Sequence, residues 1–319
     1  MLGSVFARLA VLVLSATAFG ISDVRAEFPE RPVQIILPYD AGANVDLVTR
    51  GILNVLSKEL GQPAVVVNQP GASTVLGAVA VKNARPDGYT IGMLVVTTLA
   101  VVPNTRSVPF TSADFDYICQ VYEAPSAVIV AKDSPFKSFA DMVAFARENP
   151  AKFLYGSPGP GSFNHISFAA LLGMQNLKGT HAPLSGNPAV YQAMGRGELV
   201  ANLDSAATVR NYDNVKALMV LSKERIKFLP DVPSSGELNI NFESPVWGGF
   251  LAPKGLPTAV KAKLESACKA AVTSDEYARA MERFSTIPKY RTGSDFSAYV
   301  EAERARYRKI TDELGLSPK

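Results

Sequence analysis

The pattern of apolar and polar positions predicts an α/β chain whose first strand lies at residues 33–38 (VQIILP). Two further apolar runs rich in β-branched residues, at 64–67 and 90–96, are predicted as buried strands. Between them, residues 45–60 and 76–83 carry apolar side chains at helical spacing. This alternation of strand and helix predicts a parallel sheet that is covered by helices.

The same alternation starts again after a hinge-like stretch, and this restart predicts a second α/β lobe. The later elements are strands at 127–131, 153–156, 179–182 and 200–203, an apolar run at 246–251, and helices at 139–148, 164–172, 258–271 and 295–314. If the last helices pack on the first lobe, lobe 1 comprises residues 27–126 and 246–319, and lobe 2 comprises residues 127–245. The chain then crosses between the lobes twice.

The first 26 residues have the composition of a cleavable secretory signal. Arg8 supplies a positive charge, residues 9–20 form an apolar run, and Ala26 ends a small-residue site before Glu27. A run of about 12 apolar residues is short for a membrane span, so we favour a signal over an anchor. No cysteine follows the predicted cleavage site to carry a lipid. We therefore expect a periplasmic protein and exclude residues 1–26 from the fold.

Charge and cysteine usage narrow the function classes. The 319-residue chain carries a formal net charge of only +3 and no basic face, so we do not expect a nucleic-acid partner. Cys119 and Cys268 are the only cysteines; export permits a disulfide between them, but two buried thiols are equally compatible with the sequence. With only two histidines, none close to a cysteine, the sequence predicts neither a metal site nor a cofactor.

Four loops between a predicted strand and a predicted helix are candidates for holding a ligand. They are residues 38–46 (PYDAGANVD), 68–74 (NQPGAST), the threonines at 97–98, and 156–165 (GSPGPGSFNH). In open α/β sheets ligands bind at the carboxyl ends of strands, where the backbone N–H groups of helix starts attract anions. An ordinary turn with Asn44 or Asp46 as the helix cap explains the first loop equally well. Four such loops together favour a cleft.

Catalysis is the weaker interpretation of these loops. Ser157 or Ser162 with His165 would be a nucleophile and a base, but neither serine lies in a G-x-S-x-G turn and no orienting carboxylate is identifiable. The glycines match neither a P-loop nor a dinucleotide fingerprint. We therefore do not predict an enzyme.

An ordered set of short motifs resembles the periplasmic substrate-binding proteins of tripartite tricarboxylate transporters, the Bug receptor family. The resemblance covers essentially all of the chain after residue 26. Its motifs are 28–32 (FPERP), 38–39 with Ala41, Gly42 and Asp46, 68–72 (NQPGA), 86–90 (PDGYT), 161–162 with His165, 183–186 with 188–189, 229–233 (LPDVP) and 247–253 (WGGFLAP).

The resemblance implies a two-lobed Venus flytrap with a type II-like double crossover, which captures a small carboxylate and delivers it to the permease subunits of a transporter. It also implies a monomer. The carboxylate would be held by main-chain N–H groups of the first loop and by ordered water, in accord with the absence of a basic side chain from residues 38–46. By position, Ala41, Gly42 and Ala43 would bind this carboxylate.

Together, the loops and the resemblance predict sixteen ligand-binding residues and no catalytic residue. They are Tyr39, Ala41, Gly42, Ala43, Asn44, Asp46, Gly71, Ala72, Thr97, Thr98, Ser157, Gly161, Ser162, His165, Pro183 and Asp204.

The chain also departs from the family pattern, so the resemblance does not identify the ligand. Ala43 stands where the first loop usually has a second glycine, and Asn44 stands near a usual threonine. Ser73 and Thr74 replace glycines of the second loop. Val200 occupies a position that is often acidic. A sensory receptor with the same fold, and an exported serine hydrolase, remain the alternative functions.

Overall fold

The computed structural model describes residues 28–318, in which eleven strands form two separate sheets. The strands are β1 (Val33–Leu37), β2 (Ala64–Asn68), β3 (Thr90–Val95), β4 (Phe115–Ala124), β5 (Ser126–Ala131), β6 (Leu154–Ser157), β7 (Thr180–Pro183), β8 (Ala201–Ser205), β9 (Val215–Leu221), β10 (Val246–Pro253) and β11 (Ile287–Thr292). The predicted signal segment, residues 1–26, lies outside the described residues.

Helices flank both sheets. They are α1 (Asn44–Leu60), α2 (Val75–Lys82), α3 (Val102–Thr105), α4 (Phe139–Glu148), α5 (Phe163–Met174), α6 (Asn187–Gly195), α7 (Thr208–Asn211), α8 (Thr258–Val272), α9 (Asp275–Arg283) and α10 (Gly293–Glu313). A 3-10 helical turn at Ala72–Thr74 follows β2, and a π-helical turn at Thr97–Val101 follows β3. No helix in residues 28–318 combines the length and the apolar character that crossing a membrane requires.

The six-stranded first sheet is mixed and not wholly parallel as predicted. Its order is β11-β4-β10-β3-β1-β2, and β1 runs parallel to β2 and β3. The late strand β10 inserts antiparallel between β3 and β4, and β11 pairs antiparallel at the edge. Pairing between strands that are distant in sequence leaves no local signal, so strand alternation alone could not reveal it.

The second sheet has the order β7-β6-β8-β5-β9, with β6 parallel to β7 and β8 and β5 antiparallel to β8 and β9. The chain enters this sheet directly from β4, through Pro125 alone, and returns to the first sheet at β10. The stretch after β3, predicted as hinge-like, instead contains β4. This ten-residue strand is buried along almost its whole length, so it lacks the alternation by which a half-exposed strand is recognised.

A disulfide joins the first sheet to the helices behind it. Cys119 on β4 and Cys268 on α8 are bonded and fully buried among apolar side chains. The bond closes a loop of 149 residues that includes the entire second sheet. Of the two possibilities that the sequence left open, the structure therefore shows the disulfide.

Candidate ligand-binding cleft

A cavity of about 640 Å³ lies between the two sheets at the carboxyl ends of their parallel strands. One wall comes from the loops after β1, β2 and β3, with α3, β4 and β10. It comprises Tyr39, Ala43, Asn44, Val45, Ser73, Thr74, Val95, Thr97, Val102, Arg106, Tyr122, Ala124 and Val246. The other wall comes from the ends of β6, β7 and β8 with the helices after them. It comprises Pro158, Gly159, Pro160, Gly161, Ser162, Phe163, Asn164, Asn187, Asp204 and Ser205.

The amino terminus of α1 opens into this cavity without a side-chain cap. Ala43 is the N-cap residue, and its carbonyl accepts hydrogen bonds from the N–H groups of Asp46 and Leu47. The N–H groups of Asn44 and Val45 have no hydrogen-bond partner among the described residues, and both residues line the cavity. Unpaired N–H groups at the start of a 17-residue helix form an electropositive position that suits an anion.

Asp46 holds the loop that leads into α1. Its side chain is buried, and its carboxylate accepts hydrogen bonds from the Gly42 N–H, Arg50 Nε and Asn68 Nδ2, each at 2.9 Å. Burial alone would raise the pKa of Asp46, but these hydrogen bonds outweigh burial and keep the pKa below its ordinary value. Because its acceptor positions are used within the protein, Asp46 shapes the first loop and does not line the cavity.

The second loop presents Ser73 and Thr74 to the cavity in an uncommon backbone conformation. Ala72, Ser73 and Thr74 have φ angles of 47°, 54° and 80°, all in the left-handed region. The Thr74 side chain is 5 % exposed, and its hydroxyl has no hydrogen-bond partner among the described residues.

Asp204 and Asn187 form a polar pair on the second wall. The Asp204 carboxylate accepts hydrogen bonds from Asn187 Nδ2 at 2.8 Å, from the Tyr191 hydroxyl and from the Ser205 N–H at 2.7 Å. Burial raises the pKa of Asp204 in spite of these donors. Since Asn187 donates through its nitrogen, its amide oxygen is left as an acceptor, and this buried atom has no partner among the described residues.

Two stacked histidines lie behind the loop after β6. The rings of His165 and His181 are 3.6 Å apart and nearly parallel. His165 Nδ1 accepts a hydrogen bond from the Gly161 N–H, and His181 Nε2 lies 2.6 Å from the Ser157 hydroxyl. Burial, followed by the neighbouring His181, lowers the pKa of His165 to about 4, and burial also lowers that of His181. Both rings are therefore neutral at pH 7. Their contacts with Gly161 and Ser157 hold the loop after β6 in place.

Arg106 is the only lysine or arginine among the described residues that line the cavity. It follows α3 directly, and its side chain is exposed. Tyr39 lines the same wall, and burial raises the pKa of its phenol to about 12, so the group stays protonated and can donate a hydrogen bond. The first wall therefore includes the side-chain hydrogen-bond donors of Arg106 and Tyr39.

Sequence comparison assigns the family. A sequence model of the tripartite tricarboxylate transporter family receptor matches residues 48–316, which is most of the chain. The chain belongs to this receptor family.

Solved structures agree with this assignment. A TctC solute-binding protein from Polaromonas is 30% identical, with a TM-score of 0.76 over 90% of this chain and 99% of that one. MatC from Rhodopseudomonas palustris with bound malate is 26% identical, with a TM-score of 0.76 over 89% and 99%. An R. palustris protein with adipate is 25% identical, with a TM-score of 0.81 over 92% and 100%. The predicted two-lobed α/β fold is thereby confirmed.

Seven of the sixteen predicted ligand-binding residues line the cavity of this receptor. They are Tyr39, Ala43, Asn44, Thr97, Gly161, Ser162 and Asp204. Five others are exposed and do not line it: Ala41, Gly42, Gly71, Ala72 and, at the end of β7, Pro183. The remaining four are buried outside the cavity lining: Asp46, Thr98, Ser157 and His165.

Several cavity-lining residues of the receptor are absent from the sequence-based set. Arg106 and Asn187 gave no signal, because each reaches the cavity only through the packing of distant elements. Asn164 lies within the candidate loop 156–165 but was not selected from it. Ser73 and Thr74 did give a sequence signal, since they replace glycines of the family pattern. This difference from the family did not lead to their inclusion among the predicted ligand-binding residues.

Proposed function

We propose that this receptor captures a small carboxylate in the cavity between its sheets and delivers it from the periplasm to the permease subunits of a tripartite tricarboxylate-type transporter. Membership of the receptor family supports the general role. The ligand class, the periplasmic location, the permease partner and a monomeric state are the parts that we propose.

The observation that carries the proposal is the uncapped start of α1 inside the cavity. The free N–H groups of Asn44 and Val45 offer two donors to one carboxylate. Desolvating a carboxylate without such donors would be very unfavourable. Arg106 contributes a positively charged side chain to the cavity lining, so the first wall favours a negatively charged ligand.

The ligands of two related structures support the choice of carboxylates. MatC was solved with bound malate, and the R. palustris relative was solved with adipate. Both compounds are dicarboxylates. The cavity of about 640 Å³ has room for molecules of this size.

Binding would act through closure of two lobes, residues 27–126 with 246–319 and residues 127–245. A ligand that contacts both walls stabilises the closed arrangement by the difference between its affinities for the closed and open forms. The permease would then recognise the closed form. A sensory receptor would use the same closure to contact a signalling partner.

The buried position of Ser157 weighs against a hydrolase. Its hydroxyl lies near His181, as in a nucleophile–base pair, but the side chain is fully buried and also hydrogen bonds to Gly159 at 2.9 Å. A nucleophile must reach its substrate, and Ser157 does not line the cavity. Ser162, the other candidate, does line it, but its hydroxyl caps α5 by accepting a hydrogen bond from the His165 N–H at 3.3 Å, and neither histidine ring hydrogen bonds to it among the described residues. We therefore propose binding without turnover.

A thermal-shift screen with mono-, di- and tricarboxylates, amino acids and aromatic acids tests the proposal. A ligand present at 100 times its Kd stabilises the folded state by about 2.7 kcal/mol, which raises Tm by several degrees. We expect at least one carboxylate to do so and to be recovered chemically unchanged. Either a complete lack of carboxylate binding or turnover that disappears in Ser157→Ala or Ser162→Ala would contradict the proposal.

A further inference from the structure

The second loop combines two unfavourable features in one residue. Thr74 follows two other non-glycine residues in the left-handed backbone region, where the Cβ atom crowds the carbonyl oxygen. A β-branched residue is especially uncommon there. Backbone strain of this kind concentrates at positions that contact ligands.

The side chain of Thr74 adds a second cost. It is 5 % exposed, and its Oγ1 has no hydrogen-bond partner among the described residues. Burying a hydroxyl without a partner is unfavourable unless a ligand or water supplies one. Glycine at this position would remove both the strain and the unpaired hydroxyl.

Thr74 lies where a ligand can supply the missing partner. It lines the cavity with Asn44 and Val45, whose N–H groups are also unpaired. The turn at Ala72–Thr74 packs against the turn at Thr97–Val101, and this contact holds the strained loop at the cavity wall. The residues of two loops that carry unpaired donors therefore border one space.

We propose that Thr74 is a ligand-contacting residue whose hydroxyl donates a hydrogen bond to an oxygen of the bound carboxylate. This inference rests on the proposed function. It deepens that function by identifying a side chain that contributes to the affinity for the carboxylate. The hydroxyl would act together with the backbone donors at the start of α1.

Tyr277 provides a control within the same chain. Its side chain is fully buried and its hydroxyl also has no partner among the described residues, but Tyr277 does not line the cavity. Thr74→Val and Tyr277→Phe each remove one unpaired buried hydroxyl at nearly constant shape. Neither change removes a hydrogen bond from the ligand-free protein, so we expect both variants to fold with an unchanged or higher Tm.

The test is isothermal titration calorimetry of the full chain without its signal, using malate, adipate and any carboxylate found by the thermal-shift screen. We expect Thr74→Val to weaken binding about tenfold or more, because hydrogen bonds to charged groups are stronger than neutral ones. Tyr277→Phe should stay within about twofold of the wild type, the range expected for a change with no ligand contact. Thr74→Ser, which keeps the hydroxyl, should retain most of the affinity.

A fourth variant keeps the test decisive if Thr74→Val does not fold. Thr74→Gly relieves the backbone strain, so we expect a higher Tm without ligand together with weaker binding. Wild-type affinity in Thr74→Val or Thr74→Gly would overturn the role of Thr74 and leave the proposed function intact. If the wild type binds no carboxylate, both inferences fail together.

Discussion

Asn187 Nδ2 donates a hydrogen bond to the Asp204 carboxylate at 2.8 Å, and this contact fixes the orientation of the Asn187 amide. Because the nitrogen is committed, the amide oxygen of this cavity-lining residue is left as a buried acceptor with no partner among the described residues. A carboxylate that also carries a hydroxyl or an ammonium group can supply the donor.

Malate and succinate differ by a single hydroxyl group and so test this acceptor directly. We expect the wild type to bind malate at least about fivefold more tightly, which corresponds to one hydrogen bond of about 1 kcal/mol. Asn187→Leu keeps the approximate size and should bind the two acids equally. Calorimetry that finds no preference in the wild type, or the same preference in the variant, would remove Asn187 from ligand recognition.

The backbone of Gly42 should be required for binding. Its φ of +83° is unfavourable for any residue with a Cβ, although the space around it is open. Gly42→Val should change the loop, lose the hydrogen bond to Asp46 and weaken carboxylate binding by tenfold or more, by our order-of-magnitude expectation. Most of the fold should remain intact.

Gly197 offers a control with the same backbone cost. Its φ is +74°, its surroundings are also open, and it does not line the cavity. We expect Gly197→Val and Gly42→Val to lower Tm similarly, with only Gly42→Val affecting affinity in calorimetry. Equal affinities in both variants would show that the first loop is not the anion site.

The neutral histidine pair should make stability depend on pH. The pKa of His165 is lowered from an ordinary 6.5 to about 4. Between these values the unfolded chain binds a proton that the folded protein does not, so the free energy of unfolding falls as pH is lowered from about 6.5 to about 4.

His165→Gln should reduce this dependence. Urea unfolding at several pH values between 7 and 4 measures the free energy of unfolding of the wild type and the variant. The carboxylates titrate in both proteins, so their contribution cancels when the two pH dependences are compared. We expect a shallower loss of stability for the variant than for the wild type. Identical slopes would mean that His165 is already charged in the folded protein.

Removing the disulfide should lower stability without abolishing the fold. In the chain-entropy account, a bond that closes a loop of more than 100 residues stabilises the folded state by up to about 4–5 kcal/mol. The double change Cys119→Ala with Cys268→Ala should therefore lower Tm by several degrees in calorimetry. Because neither cysteine lines the cavity, we expect carboxylate affinity to be unchanged.

The local elements were predictable wherever the sequence carries its own boundary signals. Helix α4 begins and ends where predicted, because Ser138 and Asp141 form reciprocal hydrogen bonds that cap its start. Helix α1 ends at Leu60 and is followed by Gly61, whose left-handed conformation suits a glycine. In contrast, β4 and β10 acquire their places in the sheet by pairing with distant strands, which no local pattern encodes.

The candidate site was predictable as a set of loops but not as a set of contacts. The position of the first loop at the start of α1 followed from the strand-to-helix pattern. The sequence could not show that the side chains of Asp46 and His165 accept hydrogen bonds from backbone N–H groups of their own loops, because side-chain direction depends on tertiary packing. For the same reason, Arg106 and Asn187 became visible only in the folded structure.

Calorimetry with a carboxylate and its uncharged amide tests the central claim most directly. The account predicts that the wild-type receptor binds at least one small carboxylate with a stoichiometry near one, and that the amide of the same compound does not bind measurably. Binding of the amide with equal affinity, or no binding of any carboxylate, would contradict the claim that backbone N–H groups at the start of α1 hold an anion.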